Sequence, residues 1–545
     1  TYTIMKKLNY IIIFFLAVVL YGCSDILDTE PLGFTATANF YKDANDVEIA
    51  LTGCYGLFGQ SYSVNYRTGM FLIGNVGTDE VLGNPYSTPD AQSNMDQFIF
   101  GRVTKNNLNI RDIWERMYSG LYAINELLYQ IDNIIMEEER KNEVKAEAMF
   151  LRGWHYYHLG MIFGGVPIYT TVPHEIDKGR NSLEEVMTQA MSDLQFAYDN
   201  LPAKNITDPG RASKWAAGGY LARLYSYLAS SKKNEVGKQL NFALNSFDWV
   251  NVDDFYDKAL TISNNIIDNS GLTLVSDYRY LFVEGSKNKQ KEESLFVLNP
   301  SPEKKIGFGL MTYLLPVGAQ GGGWGTCRPS QEVLSRYNRN YDARGSWVVG
   351  GLADFDCDTE IIDNNAYFRP KDLKLQNGEA WDGDYSITKF RILKTESKHD
   401  DYYGGLYPLM RLAEIYLLKA EAVAHKNGDD AGREVLKSIR YRALANKSNA
   451  NAEQLQGSYR RGDFVQELLD ERSRELCFEQ YRKFDLVRFN RYESTIKSLS
   501  TTYGVWNRNA ALQLVENITD SKIWSPIPEE DEIANPNLKP NNPGY

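Results

Sequence analysis

Aromatic, amide, carboxylate and guanidinium side chains gather in two stretches: "DEVLGNPYSTPD" from Asp79 and "MTYLLPVGAQGGGWGTCRPS" from Met311. That mixture suits one chemistry. A pyranose carries patches of axial C–H groups that lie on an aromatic face, and its hydroxyls hydrogen-bond to amides, carboxylates and guanidinium groups. A platform for such a ring needs Trp or Tyr displayed on rigid loops among Asn, Asp and Arg. In the second stretch Gly321, Gly322 and Gly323 let backbone pass where a Cβ would clash. Trp324 and Arg328 are then expected to project outward, with Tyr313 as a further ligand contact. Tyr66 with Arg67, Trp381, and Tyr402 with Tyr403 are weaker candidates. The competing fate of each ring is burial beneath its own loop.

Other constellations fail a test of spacing. "DFDCDTE" from Asp354 alternates acids as a calcium loop does, but an EF-hand then needs a glycine at position 359 and a glutamate at 365. The chain has Thr359 and Asn365. A solvated acidic turn is the reading, with a structural divalent cation as its alternative. His155 and His158 lie one helical turn apart, a spacing that suits a metal. They share a face with Val144, Ala148, Leu151 and Ile162, and Arg152 stands where a Glu-x-x-His pair needs its acid. They read as core histidines, and no metal site or cofactor is assigned. "RGD" at 461–463 reads as a helix cap. In "DERSRELCFEQYRKFDLVR", Glu471, Arg472, Glu475, Arg482, Asp485 and Arg488 sit among apolar residues. They read as a structural ion-pair network clamping terminal helices, not as catalytic groups. A nucleophile elbow, zinc helix, phosphate loop or Cys–His catalytic pattern is absent from the sequence.

The composition narrows the classes further. With 43% hydrophobic and 24% charged residues, the bulk of the chain is a folded body in water. A net charge of -12 without a basic run excludes nucleic acid as a partner. The 36 tyrosines exceed ordinary core needs and hint at a stacking surface. Cys54, Cys327, Cys357 and Cys477 are widely spaced, so three disulfide pairings and free thiols all stay open.

Near the start, Lys6 and Lys7 precede an apolar run from Leu8 to Leu20, too short to span a bilayer comfortably. It fits the h-region of a signal peptide over residues 5–22. The run ends Leu20-Tyr21-Gly22-Cys23, similar to a bacterial lipobox, in which the cysteine thiol is acylated after cleavage. Cys23 is the expected lipid anchor.

Helices must carry the loops. "AEAMFLRGWHYYHLGMIF" from Ala146, "KWAAGGYLARLYSYLAS" from Lys214 and "RLAEIYLLKAEAVAH" from Arg411 share a plan, an aromatic followed by Leu among small residues. Small residues admit a neighbouring helix and aromatics fill the gaps. The first two lie 70 positions apart, about twice a tetratricopeptide period, and the third is far displaced. Partner helices are expected from Leu108, from Ser182 with Glu185 as a capping box, and from Asp254. Two more run from Asp430 and from Asp463 to Phe489, each with an Asp N-cap. Residues 60–105 and 271–403 are loop-rich, the latter with short strands such as "SLFVLN".

Five segments in order carry a resemblance: the lipobox with "LDTEP", "AEAMFLRGWHYYHLGMIFGGVPI", "LMRLAEIYLLKAEAVA", "ELLDERSRELCFEQYRKFDLVRF" and "PIPEEDEIANPNLKPNNPGY". From leader to last residue, the chain resembles the SusD/RagB family, surface lipoproteins of Bacteroidota. It departs at Gln480, where the family usually has glycine nearby, and at Asn541, where it has glutamine. The resemblance implies a mostly α fold, a tetratricopeptide-like helical-hairpin scaffold with loop-rich insertions containing a few short strands. After the leader it implies a single unit, 23–545, with helical repeats over 108–270 and 404–492. Ligand-binding insertions fall at 60–105 and 271–403, and a tail at 493–545. The loop after the Asp79-Glu80 pair would supply ligand contacts, here Asn84 and Tyr86. The implied function is capture of oligosaccharide nutrients at the outer-membrane surface and delivery to a SusC-like TonB-dependent transporter, without catalysis. A peptide-binding member of the same system, and a structural scaffold outside transport, are the alternatives. Asp25 and Asp28 match the acidic residues that accompany surface export in such lipoproteins.

Overall fold

The computed structural model describes residues 40–56, 66–83, 94–173, 175, 177–203, 210–300, 314, 325–351, 358–369, 375–376, 379–380, 385–393, 403–479, 481–500 and 505–545. Cys23, Asn84, Tyr86, Tyr313, Trp324, Trp381 and Tyr402 lie outside them.

Helices dominate the fold. Helices α1 (Ala44–Gly56) and α2 (Tyr66–Asn75) precede an array of antiparallel neighbours. The array comprises α3 (Leu108–Gln130), α4 (Glu138–Phe163), α5 (Leu183–Asn200), α6 (Lys214–Lys233), α7 (Val252–Asn269), α8 (Leu412–Asn427) and α9 (Asp429–Ala443). Each of these packs on the next, and α7 packs directly on α8. The array is therefore interrupted in sequence and continuous in space, with the chain leaving after α7 and rejoining the stack 143 positions later at α8. Helices α10 (Phe464–Leu476) and α11 (Arg482–Arg488) close it.

Local chemistry sets many of the ends. The Ser182 hydroxyl accepts from the Glu185 N–H and the Glu185 carboxylate accepts from the Ser182 N–H, the expected reciprocal cap. Asp463 accepts from the Val465 N–H, so "RGD" is a cap. Two expected ends are corrected. Helix α7, expected from Asp254, begins at Val252 and is capped by Asn251, which accepts from the Asp254 N–H. Helix α9 starts after Gly428 without a side-chain cap, and Asp429 and Asp430 lie in its first turn, where negative charge meets the positive end of the helix dipole.

Two longer-range expectations also change. The helix expected from Asp463 to Phe489 is broken between α10 and α11, where Phe478 takes φ 65°. The break turns Glu479 toward Arg411 and Lys389, whose donors it accepts at 2.8 and 2.6 Å. The 60–105 stretch, read as loop-rich, contains α2. Met70, Phe71, Leu72 and Ile73 are four successive buried apolar residues, so this part of the helix lacks the one-sided apolar stripe by which a surface helix is read.

Small residues act as expected between helices. A Cβ on Gly153 of α4 would lie 3.0 Å from the Ala190 carbonyl oxygen of α5, so a bare glycine lets the two helices approach closely. His155 and His158 are core residues whose Nδ1 atoms meet the Leu151 and Trp154 carbonyls at 2.6 and 2.8 Å. Burial lowers the pKa of His155 to about 4 and that of His158 well below the ordinary value. Among the described residues no cluster of His, Cys, Asp or Glu is arranged to hold a metal. Cys54, Cys327 and Cys477 are buried free thiols, and Cys357 lies outside the described residues.

The excursion between α7 and α8 is built from short strands. With β1 (Val81–Gly83) from the earlier stretch, they are β2 (Ser294–Leu298), β3 (Cys327–Pro329), β4 (Val349–Gly351), β5 (Asp358–Ile362), β6 (Asn365–Arg369), β7 (Leu375–Gln376), β8 (Glu379–Ala380), β9 (Tyr385–Ile387) and β10 (Tyr407–Arg411). Among the described residues they pair only in twos: β1–β3, β2–β10, β4–β9, β5–β6 and β7–β8, all antiparallel. Two-stranded ribbons are marginal alone and draw their stability from what they pack on. The β2–β10 pair, buried along its whole length, closes the neck of the excursion where the chain leaves and returns. The closing segment 493–545 is no free tail. Asn542 donates to the Phe163 and Ser525 carbonyls at 2.9 and 2.6 Å, and Trp524 is buried.

Candidate ligand-binding site

The two sugar-suited stretches are more than 200 positions apart in sequence, and one short ladder joins them. Strand β1 ends at Gly83, the last residue before Asn84. Strand β3 begins at Cys327, three residues after Trp324. In the antiparallel register Gly83 faces Cys327, Leu82 faces Arg328 and Val81 faces Pro329. The chain therefore leaves β1 toward Asn84 and Tyr86 at the same end of the ladder by which it enters β3 from Trp324. The candidate stretches hang from one point of the fold.

That point is held by buried charge. Gly77 turns the chain ahead of β1 at φ +72°, and a Cβ there would lie 2.5 Å from the Phe98 carbonyl oxygen, so the turn requires glycine. Asp79 and Glu80 follow, both buried. Arg482 of α11 donates to both Asp79 carboxylate oxygens at 2.7 and 2.6 Å, and Arg336 donates to the same carboxylate. Burial opposes the charge on Asp79, but Arg336 and Arg482 overcome it and hold the carboxyl well below the usual range. Glu80 accepts from the Asn75 amide at 3.1 Å, and burial holds its carboxyl above its ordinary value. The Ser330 N–H donates to the Glu80 carbonyl at 2.9 Å, locking the far end of β3 to the same corner. The Asp79-Glu80 pair is thus buried at the foot of the candidate stretches and engaged by protein partners. Sequence reasoning passed over that role, although two adjacent acids before an apolar strand were its signal.

The same logic extends inward. Arg411, at the end of β10, donates to Glu293 at 2.9 Å and to Glu479 at 2.8 Å, and also pairs with Glu475. Arg344 of the excursion reaches Glu475 of α10 at 2.8 Å, and Arg442 of α9 reaches Glu293 at 3.0 Å. Arg472–Asp485 at 2.7 Å joins α10 to α11, and Arg488–Glu421 at 2.6 Å joins α11 to α8 of the array. All these side chains are buried. The expected clamp on the terminal helices exists, and it also bolts the excursion to the scaffold. Such networks fix geometry more than they add net stability.

Two candidates are corrected by their surroundings. Arg328, expected to project outward, is a rung of β3 and only 9% exposed. Tyr403 is fully buried, accepts from the Gln290 amide at 3.3 Å and packs edge-on to Phe390. Tyr66 opens α2, and its side chain lies outside the described residues.

A tetratricopeptide-like helical array carrying a stranded excursion defines a class of scaffold, and the comparisons name it. Residues 282–545 match the model of the SusD family. Residues 77–226 match a second model, described as "Starch-binding associating with outer membrane". The chain belongs to the SusD/RagB family. It is 25% identical to a SusD-like protein of Formosa agariphila over 98% of both chains. It is 22% identical to the "Starch-binding protein SusD" of Bacteroides thetaiotaomicron over 96% of each. Among solved structures, "Surface glycan-binding protein A from Bacteroides fluxus" superposes with a TM-score of 0.68 at 20% identity, covering 92% of this chain and 99% of that one. At that identity the likeness establishes the fold.

Proposed function

We propose that this protein is a cell-surface lipoprotein that binds oligosaccharide nutrients and passes them to a SusC-like TonB-dependent transporter of the outer membrane. The observation that carries the reading is the Gly83–Cys327 register, which roots both sugar-suited stretches at one buried corner. Family membership, the starch-binding name of one relative and the glycan-binding name of a structural neighbour support the same ligand class. The family model named for association with the outer membrane supports the location. Asn84, Tyr86, Tyr313, Trp324 and Tyr66 are the proposed contacts, with rings stacking on the sugar. Arg328 acts from within the ladder and shapes the platform from below. The lipid anchor is Cys23, and residues 5–22 are its leader. The protein captures and hands on its ligand without cleaving it.

Calorimetry of the chain lacking residues 1–23 against a panel of oligosaccharides and peptides tests the reading. Binding of an intact oligosaccharide is expected. Peptide binding alone, or turnover of the bound sugar, would sink it. Cys23→Ala is expected to release the protein from membranes, and continued attachment would remove the anchor from the proposal.

A further inference from the structure

Among the described residues, a cavity of about 980 Å³ lies at the joint between the excursion and the C-terminal end of α9. Its described lining comes from residues 276–279, 339–350 and 442–447, with Glu360 and Arg391. Backbone bonds make it a built feature. The Ala343 N–H donates to the Ala443 carbonyl and the Ala445 N–H to the Tyr341 carbonyl, both at 2.9 Å. Its walls carry five cationic side chains against three carboxylates, in a chain whose net charge is -12.

The carboxylates are each engaged by arginine. Asp342 is fully engaged by buried Arg344. Asp277 is held bidentate by Arg279. Glu360 sits 3.7 Å from Arg279 and 3.9 Å from Arg391, shared between two guanidinium groups. Arg391 lies over the buried Trp347 ring at 4.0 Å, which fixes its plane. Lys447 donates at 2.6 Å to the Ser276 carbonyl, and its nearby acid is Asp277, which Arg279 already holds, so that group of three keeps an excess of positive charge. Arg339 is exposed at the cavity wall and has no hydrogen-bond or ion-pair partner among the described residues. A cavity of oligosaccharide-unit size whose walls carry more cations than carboxylates, with Arg339 unpaired among the described residues, selects an anion-bearing sugar over a neutral one.

We propose that this cavity is a second saccharide subsite that takes an acidic sugar, with the guanidinium of Arg339 and the ammonium of Lys447 engaging its anionic oxygens. The proposal rests on the saccharide-binding reading above. The shared chemistry is a carboxylate or a sulfate ester on a pyranose.

The test titrates the full-length chain by calorimetry with three hexasaccharides: an oligogalacturonate, a sulfated galactan and a neutral galactan. At least one acidic probe is expected to bind about tenfold tighter than the neutral one. That advantage should shrink several-fold as salt rises from about 50 to 200 mM and vanish in the Arg339→Ala/Lys447→Ala double variant. Arg339→Lys should retain most of it, while Trp324→Ala should leave it in place. Both altered side chains are exposed, and an unchanged melting temperature checks the fold. Whichever acidic probe binds identifies the source of the anion. Equal affinities for acidic and neutral probes, or a double variant within twofold of the parent, would overturn the subsite. Binding of the neutral probe alone overturns the subsite and leaves the saccharide reading standing. Binding of none of the three overturns both.

Discussion

The helical array and the excursion between α7 and α8 differ in how they are built and in the charge they leave at the surface. In the array, rings meet edge-to-face in a continuous cluster, as Phe150, Trp154 and Tyr157 do with Tyr220 at centroid separations of 5.8–6.4 Å. Buried ions there are matched, as Arg223 is by Glu414 at 2.8 Å. In the excursion, strands of two to five residues pair in twos, and the cavity wall leaves Arg339 uncompensated. The lesson is a division of labour. The array supplies fixed positions, and the excursion carries the polar groups that the proposed function assigns to recognition. The two are coupled by Arg344, Arg411 and Arg442, which carry the ion pairs across the boundary.

Acid should break the comparison most completely. Burial disfavours charge on Glu414, Glu471 and Asp485, yet their arginine partners hold all three below the usual carboxylate range. Their folded values lie below the unfolded ones, so the stability they contribute is present above about pH 4 and lost as pH falls through the lower folded values. Circular dichroism against pH is expected to show cooperative unfolding below about pH 4, and a native signal well below that range would refute the assignment.

Arg411→Ala is the next largest. It strips Glu293, Glu475 and Glu479 of a shared partner in the interior and should cost about 3–5 kcal/mol in denaturant unfolding. A loss under about 1 kcal/mol would show that the boundary network is dispensable.

Trp324→Ala and Tyr86→Ala should behave in the opposite way. Each is expected to weaken oligosaccharide binding about tenfold, near 1.4 kcal/mol, with stability changed by no more than about 0.5 kcal/mol. Unchanged affinity in both would move the ligand away from the β1–β3 corner while leaving the binding function in place.

The smallest effect is local. Ser182→Ala removes one half of a capping box and should cost about 1 kcal/mol, with ligand affinity unaltered. Measuring affinity in this variant and in Arg411→Ala separates generic destabilisation from loss of the frame.

The sequence by itself determined what depends on neighbours a turn or less away. Ser182–Glu185 and the Asp463 cap were legible because a cap joins groups two or three residues apart. The small and aromatic residues of α4, α6 and α8 were legible because helical spacing repeats. The ion-pair residues of α10 and α11 were legible by type, as charges stranded among apolar neighbours. Only the tertiary structure decided which groups meet across the chain. Asp79 finds Arg482 at a separation of 403 positions, α7 finds α8 across the excursion, and Gly83 finds Cys327. Such partners leave no local signature, because a buried ion or a strand edge is satisfied by any matching group that folding brings within about 3 Å. The same reason hid the fate of Arg328. Its residue type suits ligand contact and burial equally, and pairing with Leu82 chose burial.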